Sequence, residues 1–141
     1  MLALVKRFWE SGSRRTAWTT LSNALSSSDG LDSNLRATAT ADLVDMMLED
    51  EAATSAIQHL KPLFDEVDHG ITFESGLVYR IRFLWARSLV EVYSYPDAEK
   101  ALITLLSEQR DSARRMESLA LLAELYLLHG DLARLENMVE A

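Results

Sequence analysis

Apolar residues recur along the chain at spacings of three, four and seven, the spacing that gathers side chains on one face of a helix. In the first stretch Leu4, Val5, Phe8 and Trp9 precede Gly12, and Ala17, Trp18, Leu21, Ala24 and Leu25 follow it. Two short amphipathic helices are expected there, Met1 to Ser11 and Ser13 to about Ser26, with Gly12 ending the first and Ser13 capping the second. Ser26-Ser-Ser-Asp-Gly30 reads as a turn. A third helix is expected from Asp32 or Ser33 to Leu48, burying Leu35, Ala39, Leu43, Met46 and Met47. A fourth carries Ala52, Ala56, Ile57, Leu60, Leu63 and Phe64, with Pro62 predicting a kink or break near His59 to Lys61. After the connection 67–73 a fifth helix runs to about Tyr93 on Leu77, Ile81, Leu84, Trp85, Ser88, Leu89 and Val92. Pro96 then sits near the first turn of a sixth. The seventh, Asp111 to His129, shows a wide apolar face of Met116, Leu119, Ala120, Leu122, Ala123, Tyr126 and Leu127. Gly130 stops it, and Asp131 caps an eighth helix with Leu135, Met138 and Val139 inward.

The eight expected helices pair as four hairpins, at about 2–26, 32–67, 73–108 and 111–141, in one domain. Numbered from Gly12, the aromatic pair lies four and three residues before the turn, and small Ala17 lies five after it. The pattern returns in part with the zero point at Glu51, Pro96 and Gly130, at intervals of 39, 45 and 34 residues: Met47 and Leu48, Val92 and Tyr93, and Tyr126 and Leu127 stand at the two positions before it, and Ala56, Ala101 and Leu135 five after it. It resembles helix A, turn and helix B of the tetratricopeptide repeat, whose period is about 34 residues. The resemblance implies an all-α, right-handed solenoid of about four antiparallel hairpins. In such an array the first, third, fifth and seventh helices line a groove. A closed helical bundle with similar hairpins satisfies much of the same apolar pattern.

Composition agrees with this reading. Hydrophobic residues make up 48% and charged residues 26%, with 5 Gly and 2 Pro, a globular helix-forming balance. The absence of Cys excludes disulfides and thiolate metal sites. No signal-peptide core or run of about 20 apolar residues is present, so a cytoplasmic, reducing setting without membrane contact is expected. The net charge of −8 is uneven: residues 41–75 hold nine acidic residues and one basic. That acidic stretch is either a solvated surface or a patch steering a basic partner, and it argues against nucleic acid.

Little in the chain points to catalysis or metal binding. Glu66-Val-Asp-His69 is a single Glu-x-x-His, whereas di-iron bundles need two, with two further carboxylates. His69 is therefore expected in a loop, and His129 near a helix end where a cation suits the dipole. Asp42, Asp45 and Glu49 share one helical face, which a solvent-facing stripe explains. Neither a phosphate-binding nor a nucleophile-elbow motif occurs, and no enzyme activity or cofactor is expected.

The resemblance directs attention to Arg80, Arg87 and Arg114, on the fifth and seventh helices. In a tetratricopeptide-like groove they would converge on an acidic peptide or a carboxylate terminus. Pairing with local acids, Glu91 beside Arg87 and Glu117 beside Arg114, is the alternative. The Lys and Asn set of the carboxylate-clamp repeats is missing, so binding of chaperone C-termini is not implied. Trp9, Trp18, Trp85, Met46 and Met47 fit a core better than exposed anchors. Apolar Met138 and Val139 near the last residue suggest a longer repeat protein, or an edge covered by a second copy or a partner. The expected function is a protein–protein interaction module: adaptor, assembly subunit or chaperone. A regulatory or ligand-sensing helical domain is the alternative, favoured by a small-molecule pocket between the fifth and seventh helices, and a helical RNA-binding repeat is a third.

Overall fold

In a computed structural model, residues 33–140 are described together with Lys6, Glu10, Thr16 and 19–23. Most of the first expected hairpin, including Phe8, Trp9, Gly12, Ala17, Trp18, Ala24 and Leu25, lies outside the described residues. Those that are described there are helical, and Leu21 is buried against the following helices. Six helices follow: α1 (Ser33–Glu49), α2 (Ala53–Asp68), α3 (Ser75–Glu91), α4 (Tyr95–Glu108), α5 (Ser112–Leu128) and α6 (Leu132–Glu140). No strand occurs among the described residues. Also among them, no helix is long and apolar enough to cross a membrane.

The connections explain how the helices fold back. At the end of α1 the Ala52 N–H donates to the Met47 carbonyl and the Glu51 N–H to that of Leu48. This is a Schellman closure, which needs a left-handed residue after the helix. Glu51 supplies it at φ 58°. The same bonds recur after α3, from Ser94 to Leu89 and Tyr93 to Val90, and after α5, from Asp131 to Tyr126 and Gly130 to Leu127. Tyr93 has φ 60° and Gly130 φ 67°. A fourth copy closes α2 at Gly70, which has φ 91°. The expected zero point at Pro96 therefore moves to Tyr93, three residues earlier. Pro96 remains in the first turn of α4, and Ala98, five residues after Tyr93, is fully buried as Ala56 is.

Each helix packs on its successor. In addition α1 packs on α3 and α3 on α5, whereas among the described residues the backbones of α2 and α4 do not come together in this way. Short connections make successive helices antiparallel, so α1, α3 and α5 run parallel in one layer, with α2 and α4 behind them. The core has two parts. One joins α1, α2 and the first half of α3 around Val44, Met47, Leu60 and Ile81. The other joins the second half of α3 to α4 and α5 around Ala86, Leu102 and Leu125, with Leu135 and Met138 of α6 against it. Trp85 touches both and stacks on Phe64 at 4.5 Å between ring centres.

Several sequence expectations are corrected here. Helix α2 is unbroken through Pro62. Pro62 lacks only one donor and is exposed to solvent, and the buried Leu60 and Leu63 on either side hold the helix in place. Leu35, Met116 and Leu127, expected inside, are 52%, 66% and 60% exposed. Buried positions on α1 run Ala37, Ala41, Leu43–Val44 and Met47–Leu48, and on α5 Ser118, Leu121, Leu122, Leu125 and Tyr126. Both stripes are set by the neighbouring helices, and these three residues fall outside them.

Candidate functional site

The exposed side of the α1–α3–α5 layer is built from three helical stripes. On α1 the stripe is Leu35, Thr38, Asp42, Asp45 and Glu49; on α3 it is Arg80, Phe83, Arg87 and Glu91; on α5 it is Glu117, Ala120, Glu124 and Leu128. All are at spacings of three and four, and none is buried. Two of the three expected site residues, Arg80 and Arg87, thus lie two turns apart on one stripe, about 10 Å along the axis.

Arg80 ties α3 to α1. Its Nη2 lies 2.8 Å from Asp42 Oδ1 and 2.5 Å from Asp45 Oδ2. Burial opposes the charge on this guanidinium, but hydrogen bonds to Asp45 and Asp42 more than offset that, and its pKa is held above the ordinary arginine value. The acidic stripe read from the sequence as solvent-facing is therefore partly a structural ligand for Arg80.

Arg114, at the start of α5, lies over the Tyr79 ring at 4.9 Å, a cation–π geometry. Asp111 caps the helix, accepting from the Arg114 N–H at 3.0 Å. A Cβ on Gly76 would meet Arg114 Nη2 at 3.3 Å, so glycine lets α3 come close there. Glu117 does not pair with Arg114; it accepts the Tyr79 hydroxyl at 2.6 Å. Burial, and then that bond, push the Tyr79 pKa from 10.0 up to about 12.

Arg87 lines a shallow cleft of about 250 Å³ between α3 and α5, with Glu91, Glu117 and Glu124 around it and Phe83, Ala120 and Leu121 beneath. Among the described residues no ion pair closes between Arg87 and Glu91. The three arginines thus occupy one face without converging on one point.

Compared with known protein families, curated proteins and solved structures, the chain matches none.

The electrostatics of the face are decided by its acids. Asp42, Asp45, Glu49, Glu91, Glu117 and Glu124 outnumber Arg80, Arg87 and Arg114. Glu49 and Glu91 end their helices, and neither α1, α3 nor α5 carries a basic residue in its last turn. Carboxylates at the negative end of a helix dipole destabilise it slightly. One edge of the layer is therefore negative in both side chains and backbone.

The histidines are accounted for structurally. His69 follows α2, its Nδ1 2.7 Å from the Asp65 carbonyl. His129 follows α5 and lies 4.3 Å from the Tyr95 ring. His59 Nδ1 is 2.9 Å from the Ser55 carbonyl, and its Nε2 is 3.2 Å from Ser22 Oγ. No cluster of three or more potential metal ligands occurs among the described residues. The sequence missed the Tyr79–Glu117 bond, because it depends on which helices become neighbours.

Proposed function

We propose that the protein is a non-enzymatic interaction module with a tetratricopeptide-like array of hairpins, and that a segment of another protein lies across the α1–α3–α5 face. The observation that carries this reading is the layering itself. Three parallel helices pack side by side, α1 on α3 and α3 on α5, and present an exposed surface. The repeated Schellman turns support the family resemblance, since each hairpin closes by the same bonds.

The arginines alone suggested an acidic partner. Their surroundings favour a segment with basic residues set among apolar ones. Basic side chains would meet Glu91, Glu117 and Glu124, apolar ones would cover Phe83 and Ala120, and Arg87 would fix a carbonyl or carboxylate. Adaptor, assembly and chaperone roles all use such a surface.

Capture of partners from source lysate tests the proposal. With Glu117→Lys and Glu124→Lys together, partners held by the natural chain are lost. The outer-helix control Lys61→Glu retains them. Equal recovery by all three proteins would contradict the reading.

A further inference from the structure

The left-handed residues Glu51, Tyr93 and Gly130 give α1, α3 and α5 a common register. The positions fourteen, seven and three before them are Ala37, Val44 and Leu48 on α1, Tyr79, Ala86 and Val90 on α3, and Met116, Ala123 and Leu127 on α5. At about 100° per residue, these positions fall within about 20° of one line along each helix. On α1 and α3 all six residues are buried. On α5 Met116 and Leu127 are 66% and 60% exposed, and Ala123 between them is partly exposed. The difference lies in what comes next. Tyr79 shows that this line on α3 faces α5, since its hydroxyl donates to Glu117 and its ring lies under Arg114. α3 stands beside α1 in the same layer, but among the described residues no helix follows α5 there. The free side of α5 thus repeats a helix-receiving surface, and an exposed apolar row of this kind marks an interaction site.

The same register gives the charge of the missing neighbour. Arg80 is the sixth residue of α3 and Glu117 the sixth of α5, each thirteen before its left-handed residue. Each meets, on the preceding helix, the residue six before the turn. Arg80 pairs with Asp45 of α1, and Glu117 lines one cleft with Arg87 of α3. Both combinations are of opposite charge. On α5 the residue six before the turn is Glu124, which is exposed. A helix seated beside α5 in this register brings its own sixth residue to Glu124, where Lys or Arg is the complement.

We propose that the free side of α5 docks an amphipathic helix of another protein, lying along α5 as α5 lies along α3. Its apolar side chains cover Met116, Ala123 and Leu127, and a Lys or Arg in its second turn meets Glu124. A second copy offering its α5 in this register presents Glu117 at that point, a like charge, so a different polypeptide is favoured. Met116, Ala123 and Leu127 are not among the residues of the α1–α3–α5 face, and the two surfaces can be tested apart.

The probe is a fluorescent synthetic peptide of residues 75–91, because α3 already fits the equivalent line on α1 and carries Arg80 at its sixth position. A hydrocarbon staple joining positions 79 and 83, on the side turned away from the contact, holds a helix too short to persist alone. Fluorescence anisotropy against the full chain should show saturable binding with a dissociation constant of about 100 μM or tighter. Met116→Asp and Leu127→Asp in the chain, both at exposed positions and each with its melting temperature measured, weaken the peptide at least tenfold. Arg80→Glu in the peptide weakens it at least fivefold, and Glu124→Lys in the chain restores the binding of that peptide. Equal binding to the natural and Leu127→Asp chains, or no saturation, would overturn the docking surface. Failure of Glu124→Lys to restore the charge-reversed peptide would overturn the assigned register. A dimer seen by sedimentation without peptide, and lost in Leu127→Asp, would make a second copy the occupant and overturn the assignment to another protein.

Discussion

Glu51 and Tyr93, 42 residues apart, hold the same left-handed position in the same hydrogen-bonded turn. Gly130, 37 residues further on, holds it again. Only glycine takes this conformation without steric cost; another L-residue pays about 1 kcal/mol or more. Tyr93 is also 72% exposed, so its ring offsets little of that cost by burial. Tyr93→Gly should therefore stabilise the protein by about 0.5–1 kcal/mol in denaturant unfolding, despite the greater freedom of glycine in the unfolded chain. A loss of stability would mean that the Tyr93 ring makes a compensating contact.

Leu125 and Met116 test the phase of α5. Leu125, outside the apolar face expected from the sequence, is fully buried, whereas Met116, expected on that face, is 66% exposed. Leu125→Ala should cost about 2–5 kcal/mol and Met116→Ala less than about 0.5 kcal/mol. Comparable losses would require a different rotation of the helix.

The link from Arg80 to Asp42 and Asp45 should resist truncation only modestly. Arg80→Ala is expected to cost about 1–2 kcal/mol, more than a fully exposed pair, because two charge-assisted bonds are lost together. The loss should shrink in concentrated salt as the remaining repulsion between Asp42 and Asp45 is screened. Chemical unfolding at two ionic strengths measures both effects; a salt-independent loss would mean that packing of the side-chain stem dominates.

Two tyrosines set an alkaline limit. Burial and a bond to Glu117 raise Tyr79 to about 12, and burial with a bond to Glu99 raises Tyr126 to about 12, from 10.0. A pKa higher in the folded than in the unfolded chain means that the fold favours the protonated phenol. Its contribution is complete below about pH 10 and is lost as pH rises through about 12. Thermal unfolding followed against pH should show stability falling across that window, and Tyr79→Phe with Tyr126→Phe should flatten the fall. An unchanged slope in the double variant would assign the loss to other groups.

Much of the architecture was legible because helix-period spacing and turn residues agree locally. The end of α5 and the start of α6 followed directly from Gly130 and Asp131, which play their expected parts in a turn and a cap. The turn at Tyr93 was hidden because its left-handed residue is not glycine and Pro96 offered a louder signal nearby. Leu35, Met116 and Leu127 misled because apolar spacing alone does not reveal which edge of a wide stripe meets a neighbour. The site was legible only as residue types. Arg80 and Arg87 lie on α3 and Arg114 on α5, but Asp42 and Asp45 reach Arg80 across some 35 residues of sequence, and that pairing exists only once α1 packs on α3.

The claim on which the account rests is that partners use the face of α1, α3 and α5. Photo-crosslinking tests it most directly, with a short-range crosslinker placed in turn at Thr38, Phe83 and Ala120 on that face and at Thr54 and Ile103 on the outer helices. The account predicts partner adducts from the first three positions and none from the last two; adducts confined to Thr54 and Ile103 would contradict it.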